Sequence, residues 1–179
     1  LDREEEHLDS GNRPSSRAFV RIGATRDGRI LGGQIRTAGD TGVGRRGGGV
    51  DVPSGQYDLG ALDRDHRNVP CNAGPPRPMR APGKPQGAWA EEMLLDELAA
   101  ACGLDPVELR LRNERSDARR RMYEDGARRI GWERRRPDGE QTGTIVTGFG
   151  VGSTNWGAFP SRGEAEVVIN PDGSVVCRQ

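Results

Sequence analysis

Lysine is all but missing from this chain. Of its 27 basic residues only Lys84 is a lysine, and the arginine that stands elsewhere reads more simply as codon bias than as a binding signature. Net charge is missing too: 27 acidic residues balance the basic ones, which removes any global pull toward nucleic acid or an anionic membrane. Cysteine is sparse. Cys71, Cys102 and Cys177 stand far apart with no C-x-x-C, so nothing points to a disulfide framework, a zinc site or an iron–sulfur cluster. No apolar run approaches the length that spans a bilayer. Large apolar side chains are few, with Leu, Ile, Val and Phe together making 32 of 179 residues, near the level that marks disordered chains. Disorder also calls for high net charge, which this chain lacks. Glycine, at 27 residues, has roughly twice its usual share. The combination fits a portion of a larger protein whose other portions complete the core. The chain opens at Leu1 with neither a methionine nor a signal-like segment, so the expectation is that the true start lies elsewhere.

What is present is organised around Met79-Arg80-Ala81-Pro82-Gly83-Lys84-Pro85-Gln86-Gly87 and the run that follows it. Two prolines and two glycines break regular structure ahead of a helix-forming stretch. The pre-proline positions Ala81 and Lys84 are expected to be extended. Arg80 then sits on a stiff turn ahead of a helix N-terminus, a place suited to meeting an anionic group. In the helix itself, Ala90, Leu94, Leu98 and Ala101 form the expected apolar stripe, with Glu91, Glu92 and Asp96 on another face and Gly103 as the stop.

Other elements are marked by their punctuation. Asp27-Gly28 between the runs 19–24 and 30–35 predicts a hairpin, as does Asn170-Pro171-Asp172-Gly173 between 164–169 and 174–177. Asp105, Pro106 and Glu108 read as N-cap, first turn and N3 of a helix, with Leu104, Val107, Leu109 and Leu111 as its apolar contacts. Asp117 to Ile130 reads as a further helix stopped by Gly131. A short strand is expected over 69–72 and a closely packed, glycine-rich strand over 144–151. Gly42 to Gly49 lacks the G-K-[ST] ending of a phosphate-binding loop and reads as a flexible connector. Glu4, Glu5, Glu6 and His7 could suggest a metal cluster, but adjacent carboxylates diverge on any regular element and read as a solvated face. Cys71 reads as a packed residue, not a nucleophile, because no motif pairs it with a histidine. Arg119–Arg121, Arg128–Arg129 and Arg134–Arg136 could form a nucleic-acid surface. Interleaved acidic residues and the absence of an aromatic stacking series favour a solvated helix.

R-A-P-G-x-P-Q-G-A-x-A-x-E, then D-E-L-A, then G-L-D-P-V-E-L-R-L-R-N, in order from Arg80 to Asn113, resembles the large subunit of the xanthine dehydrogenase/aldehyde oxidase molybdenum hydroxylases, in particular the bacterial aldehyde-oxidoreductase branch. R-E-E-E-x-x-x-x-G-x-R-P over 3–14, N-x-G-P over 72–75 and I-G-W-x-x-R over 130–135 extend the resemblance. It implies an α+β fold, antiparallel hairpins around a central helical segment, forming part of a molybdenum-cofactor-binding region. Residues 1–143 would belong to a first molybdopterin-binding subdomain and 144–179 to the start of a second.

The activity implied is oxidation of aldehydes or N-heterocycles with oxygen derived from water, assisted by a general-base glutamate. The implied cofactor is molybdenum–molybdopterin, with the cytosine dinucleotide form expected. Iron–sulfur clusters and FAD would sit on a small and a medium partner subunit. Arg80 matches the arginine of the family's R-[AG]-[PF]-G loop beside the molybdenum centre and is the one cofactor-binding residue carried over. The R-A-P-G form tilts the substrate toward aldehydes. Lys84 occupies a variable position and, like Arg45 and Arg46, is given no role. The family's glycine–phenylalanine loop, its later cofactor loops and its catalytic glutamate are expected outside this chain, so the chain alone is expected to be an inactive fragment. A catalytically silent structural piece and an arginine-rich nucleic-acid-binding module are the alternatives, and the compartment is left open.

Overall fold

The computed structural model describes residues 2–178 apart from 45–46, 51, 53–54, 137–139, 141–142 and 158–162, with His7 described by its backbone alone. Helix α1 (Arg3–Asp9) opens the chain with a reciprocal cap. Asp2 accepts from the Glu5 amide while Glu5 accepts from the Asp2 amide, and Glu4 to Glu6 favour the positive end of the helix. All three glutamates face solvent.

Strands β1 (Ser16–Ala24) and β2 (Ile30–Gly42) form the antiparallel pair expected around Asp27-Gly28, with Val20 opposite Ile35. Gly28 adopts φ 84°, and a Cβ there would lie 2.5 Å from Leu104 Cδ1, so only glycine allows the turn to rest on the residues that follow it in space. Strand β3 (Ala61–Pro70) then lies parallel to β2 on its other side, giving the order β1-β2-β3. This corrects one expectation: the strand expected over 69–72 is longer and ends at Pro70. The expected α+β fold with antiparallel hairpins around a helical segment is present, with β3 added in parallel. Parallel pairing requires a crossover of a dozen or more residues, which the stretch from Val43 to Gly60 supplies.

The described residues of that stretch are anchored to the body. Val52, Tyr57 and Leu59 are buried, Tyr57 bridges to Glu114, and the Asp58 amide donates to Asn113 O at 2.7 Å. Gly48 packs so closely on β2 that a Cβ on Gly39 would lie 1.7 Å from Gly48 O. Arg45 and Arg46 lie outside the described residues.

Three helices complete the main body: α2 (Lys84–Cys102), α3 (Pro106–Asn113) and α4 (Asp117–Ile130). Gly103 and Gly131 end α2 and α4 in the left-handed conformation, and the Asp105 side chain accepts from the amides of Val107 and Glu108, as their residue types predict. The buried face of α2 is not the expected stripe. Gly87, Glu91, Leu95 and Ala99 are buried, whereas Leu94 and Leu98 are half-buried and Ala101 is exposed. The helix is rotated because its carboxylates at 92 and 96 turn toward an arginine on α3, which draws a nominally polar face inward. Leu95, Ala99, Leu109, Ile30, Tyr57 and Leu59 form the core beneath the sheet.

Residues 163–178 carry a separate hairpin, β4 (Glu166–Ile169) and β5 (Val175–Arg178). The strand expected over 144–151 does not form. Cβ atoms on Gly148 or Gly150 would meet nothing within 4 Å, so neither glycine marks a close approach. The segment has no pairing partner among the described residues, and a strand without a ladder has no means of satisfying its backbone. Among the described residues, no helix is long and apolar enough to cross a membrane.

Candidate functional site

Arg80 lies on the turn that joins the proline-rich lead-in to α2. Its backbone differs from expectation: Arg80 has φ 21° and Ala81 φ 51°, both in left-handed territory, and Lys84 is already helical. Non-glycine residues held in that region carry strain of about 1–3 kcal/mol each. Tertiary hydrogen bonds override the local preference. The Arg13 guanidinium donates to Arg80 O at 2.8 Å and reaches Ala81 O at 3.5 Å, and the Lys84 amide donates to Ala81 O at 3.0 Å. Gly83, at φ 80°, then swings the chain into α2.

The outcome is a displayed cation at an open helix end. The Arg80 side chain is exposed and makes no hydrogen bond or ion pair among the described residues. Helix α2 begins with no side-chain cap and no acidic residue in its first turn, so its positive end is not neutralised locally. Beside the turn is a cavity of about 220 Å³ lined by Arg13, Pro14, Gly47, Gly49, Pro76 and Pro82. A cation, an uncapped helix start and glycine backbone fit one edge of an anionic cofactor. Lys84 does not join them: its ammonium donates to Asn155 Oδ1 at 3.3 Å and ties the start of α2 to a later loop. Among the described residues, no three His, Cys, Asp or Glu side chains gather as metal ligands.

The other motif residues hold the scaffold together. Arg110 of the E-L-R element is fully buried on α3. It donates to Glu92 and to Asp96 of the D-E-L-A element, each at 2.8 Å, and to the carbonyls of Pro106 and Glu92. Burial alone would lower the guanidinium pKa; the two carboxylates outweigh it and raise the pKa. Asn113, the last residue of the same element, accepts from the Ile30 amide at 3.0 Å and donates to Gly28 O at 2.9 Å, fastening the β1–β2 turn to α3. Next to Arg110, Tyr57 donates to Glu92 at 2.7 Å and meets the Tyr123 hydroxyl at 2.5 Å, with Gln56 donating to Tyr123. Burial, then the Glu92 charge, push the Tyr57 phenol well above its ordinary pKa, and burial raises Tyr123 as well. Sequence reasoning missed this network because Tyr57 lies in a region without apolar periodicity.

Much of the arginine band is paired locally, although no partner holds Arg121, Arg129 or Arg136 among the described residues. Arg119 binds Gln56 and Glu114, Arg120 binds Glu114 O, Arg128 pairs with Asp125, and Arg135 stacks over Trp132. The three cysteines are unbridged, with Cys71 half-buried.

The α+β body thus displays an exposed arginine at an open helix start, a place suited to meeting an anionic group. Residues 1–114 match the model of the molybdopterin cofactor-binding domain, and the chain belongs to that family, represented among its relatives by the molybdenum-binding subunits of xanthine dehydrogenase and aldehyde oxidoreductase. The chain is 29% identical over 201 residues to the xanthine dehydrogenase molybdenum-binding subunit of Escherichia coli O157:H7, a match covering 98% of this chain and 27% of that protein. It is 34% identical over 111 residues to the aldehyde oxidoreductase molybdenum-binding subunit PaoC of the same organism, covering 54% of this chain and 15% of PaoC. The aldehyde oxidoreductase of Desulfovibrio gigas has the same fold over 73% of this chain and 16% of its own, with a TM-score of 0.63 at 23% identity. The chain thus spans about a quarter of the length of the xanthine dehydrogenase subunit it matches.

Proposed function

We propose that this chain supplies part of the cofactor-binding region of a molybdenum hydroxylase large subunit, with Arg80 contacting the anionic part of the molybdopterin. The observation that carries the reading is the exposed Arg80 guanidinium, without a hydrogen bond or ion pair among the described residues, held ahead of an α2 start with no acidic residue in its first turn. When bound, the molybdenum–molybdopterin group supplies oxidation of an aldehyde or N-heterocycle with oxygen derived from water. The residues of this chain bind and orient; the general-base glutamate belongs to another part of the large subunit, and this chain by itself does not turn over. The cofactor is the cytosine dinucleotide form, and electrons leave to iron–sulfur clusters and FAD on a small and a medium partner subunit. Residues 1–143 belong to a first cofactor-binding subdomain and 144–179 to a second, a division supported by the separation of the β4–β5 sheet from the β1–β3 sheet.

The test is Arg80→Ala in the native protein that contains this sequence. Losing one charge-assisted contact should lower retained molybdenum and pterin about tenfold or more. The melting temperature of the cofactor-free protein should not move, because the Arg80 side chain bonds to nothing among the described residues. Unchanged pterin content would overturn the reading. A catalytically silent scaffold piece is the second reading, favoured by the architectural roles of Asp96, Arg110 and Asn113. A nucleic-acid module is disfavoured by the local pairing of Arg119, Arg120, Arg128, Arg134 and Arg135 within the band.

A further inference from the structure

We infer that Arg13 is a positioning residue for the Arg80 turn, acting through a strap formed by residues 11–14. Each residue of the strap is engaged with the turn or its flanks. Gly11, at φ 78°, lies so close to Arg77 that a Cβ would sit 2.3 Å from Arg77 Cγ. Asn12 O accepts from the Arg77 amide at 3.1 Å, and Pro14 O accepts from the Gln86 side chain at 3.2 Å. Between them the Arg13 fork donates to Arg80 O and Ala81 O. The strap therefore grips the chain before, at and after the two left-handed residues.

Arginine suits this task for a geometric reason. Its planar fork presents two parallel N–H groups, so one side chain can satisfy consecutive carbonyls that a left-handed turn directs to one side. A lysine ammonium is a point donor and cannot span both in one orientation. Among the described residues Arg13 bonds only to backbone oxygens in the turn, so it sets the path of the main chain and leaves the Arg80 guanidinium outward. Gly11 and Arg13 thus acquire a shared purpose: glycine admits the strap, and arginine locks what it touches. The consequence for cofactor binding rests on the reading of Arg80 given above, whereas the shape of the turn does not.

Trypsin reads the turn directly. Arg77 and Lys84 are each followed by proline, which blocks cleavage, so Arg80–Ala81 is the tryptic bond of this loop. In the native protein, Arg13→Ala should accelerate cleavage at Arg80–Ala81 about tenfold or more, followed by mass spectrometry, because local opening sets the rate. Cleavage at Arg128–Arg129 on α4 should stay unchanged. Guanidinium ion at tens of millimolar also occupies the arginine pocket of trypsin, so the rescue is read as a ratio: it should slow the Arg13→Ala cleavage at Arg80–Ala81 more than cleavage at Arg128–Arg129, which a general packing defect does not show. Arg13→Lys should give an intermediate rate at Arg80–Ala81 alone. Equal rates in the wild type and both variants would overturn the proposal, as would parallel acceleration at both bonds in Arg13→Ala and Arg13→Lys. If the latch behaves as expected while Arg80→Ala leaves pterin content untouched, the cofactor reading fails and the latch stands.

Discussion

Replacing Arg110 by alanine should cost this protein a large part of its stability. The guanidinium is 0% exposed, and its more buried partner, Glu92, has a side chain only 13% exposed. Removing one member of a buried ion pair typically costs about 3–5 kcal/mol, because the remaining charge is left buried and unsatisfied. The second partner adds little: the Asp96 side chain is 44% exposed, and water screens it, so its share is about 0–1 kcal/mol. Bonds to the Pro106 and Glu92 carbonyls are also lost, but they act together with the ion pair and are not summed separately. The expected loss is therefore about 3–5 kcal/mol against a total of about 5–15 kcal/mol for a typical domain. Arg110→Lys should recover less than half of it, since one ammonium cannot reach two carboxylates and two carbonyls at once. Urea denaturation followed by tryptophan fluorescence measures both variants. A loss below about 1 kcal/mol for Arg110→Ala would refute the assignment of this cluster as the joint between α2 and α3.

Asn113→Ala strands the Ile30 amide and Gly28 O, which are buried hydrogen-bonding groups, and should destabilise by about 1–3 kcal/mol in the same assay. Alkaline pH should unfold the protein through its tyrosines. In the unfolded chain Tyr57 ionises near its ordinary pKa of 10.0, while in the fold its pKa is raised well above that value. The stability it contributes is thus complete below pH 10 and falls above it, by about 1.4 kcal/mol per pH unit for each such phenol. Tyr57→Phe should flatten that slope between pH 10 and 11.5, and an unchanged slope would contradict the raised pKa.

The legible parts of the fold were those where one residue type has one physical use. Asp27-Gly28 and Asp172-Gly173 announce their hairpins because glycine alone tolerates the turn conformation at low cost, and both glycines have positive φ. Asp105-Pro106 and Gly131 mark helix ends for similarly local reasons. Strand β3 escaped because A-L-D-R-D-H-R-N-V-P carries no apolar alternation; its order comes from pairing with β2, a long-range cause. The inward face of α2 escaped because the inward turn of Glu92 and Asp96 depends on Arg110, a partner no local pattern reveals. At the site, the identity of Arg80 was readable from its motif, while the left-handed turn was not, since the Arg13 bonds that hold it come from 67 and 68 residues away.

The account stands most directly on the amount of molybdenum and pterin carried by the native polypeptide that contains this sequence, counted against its intact mass. It predicts a polypeptide several times heavier than 19.4 kDa that carries close to one molybdenum and one pterin per chain. A product that carries neither, at any mass, would contradict the claim that the Arg80 turn forms part of a working cofactor site.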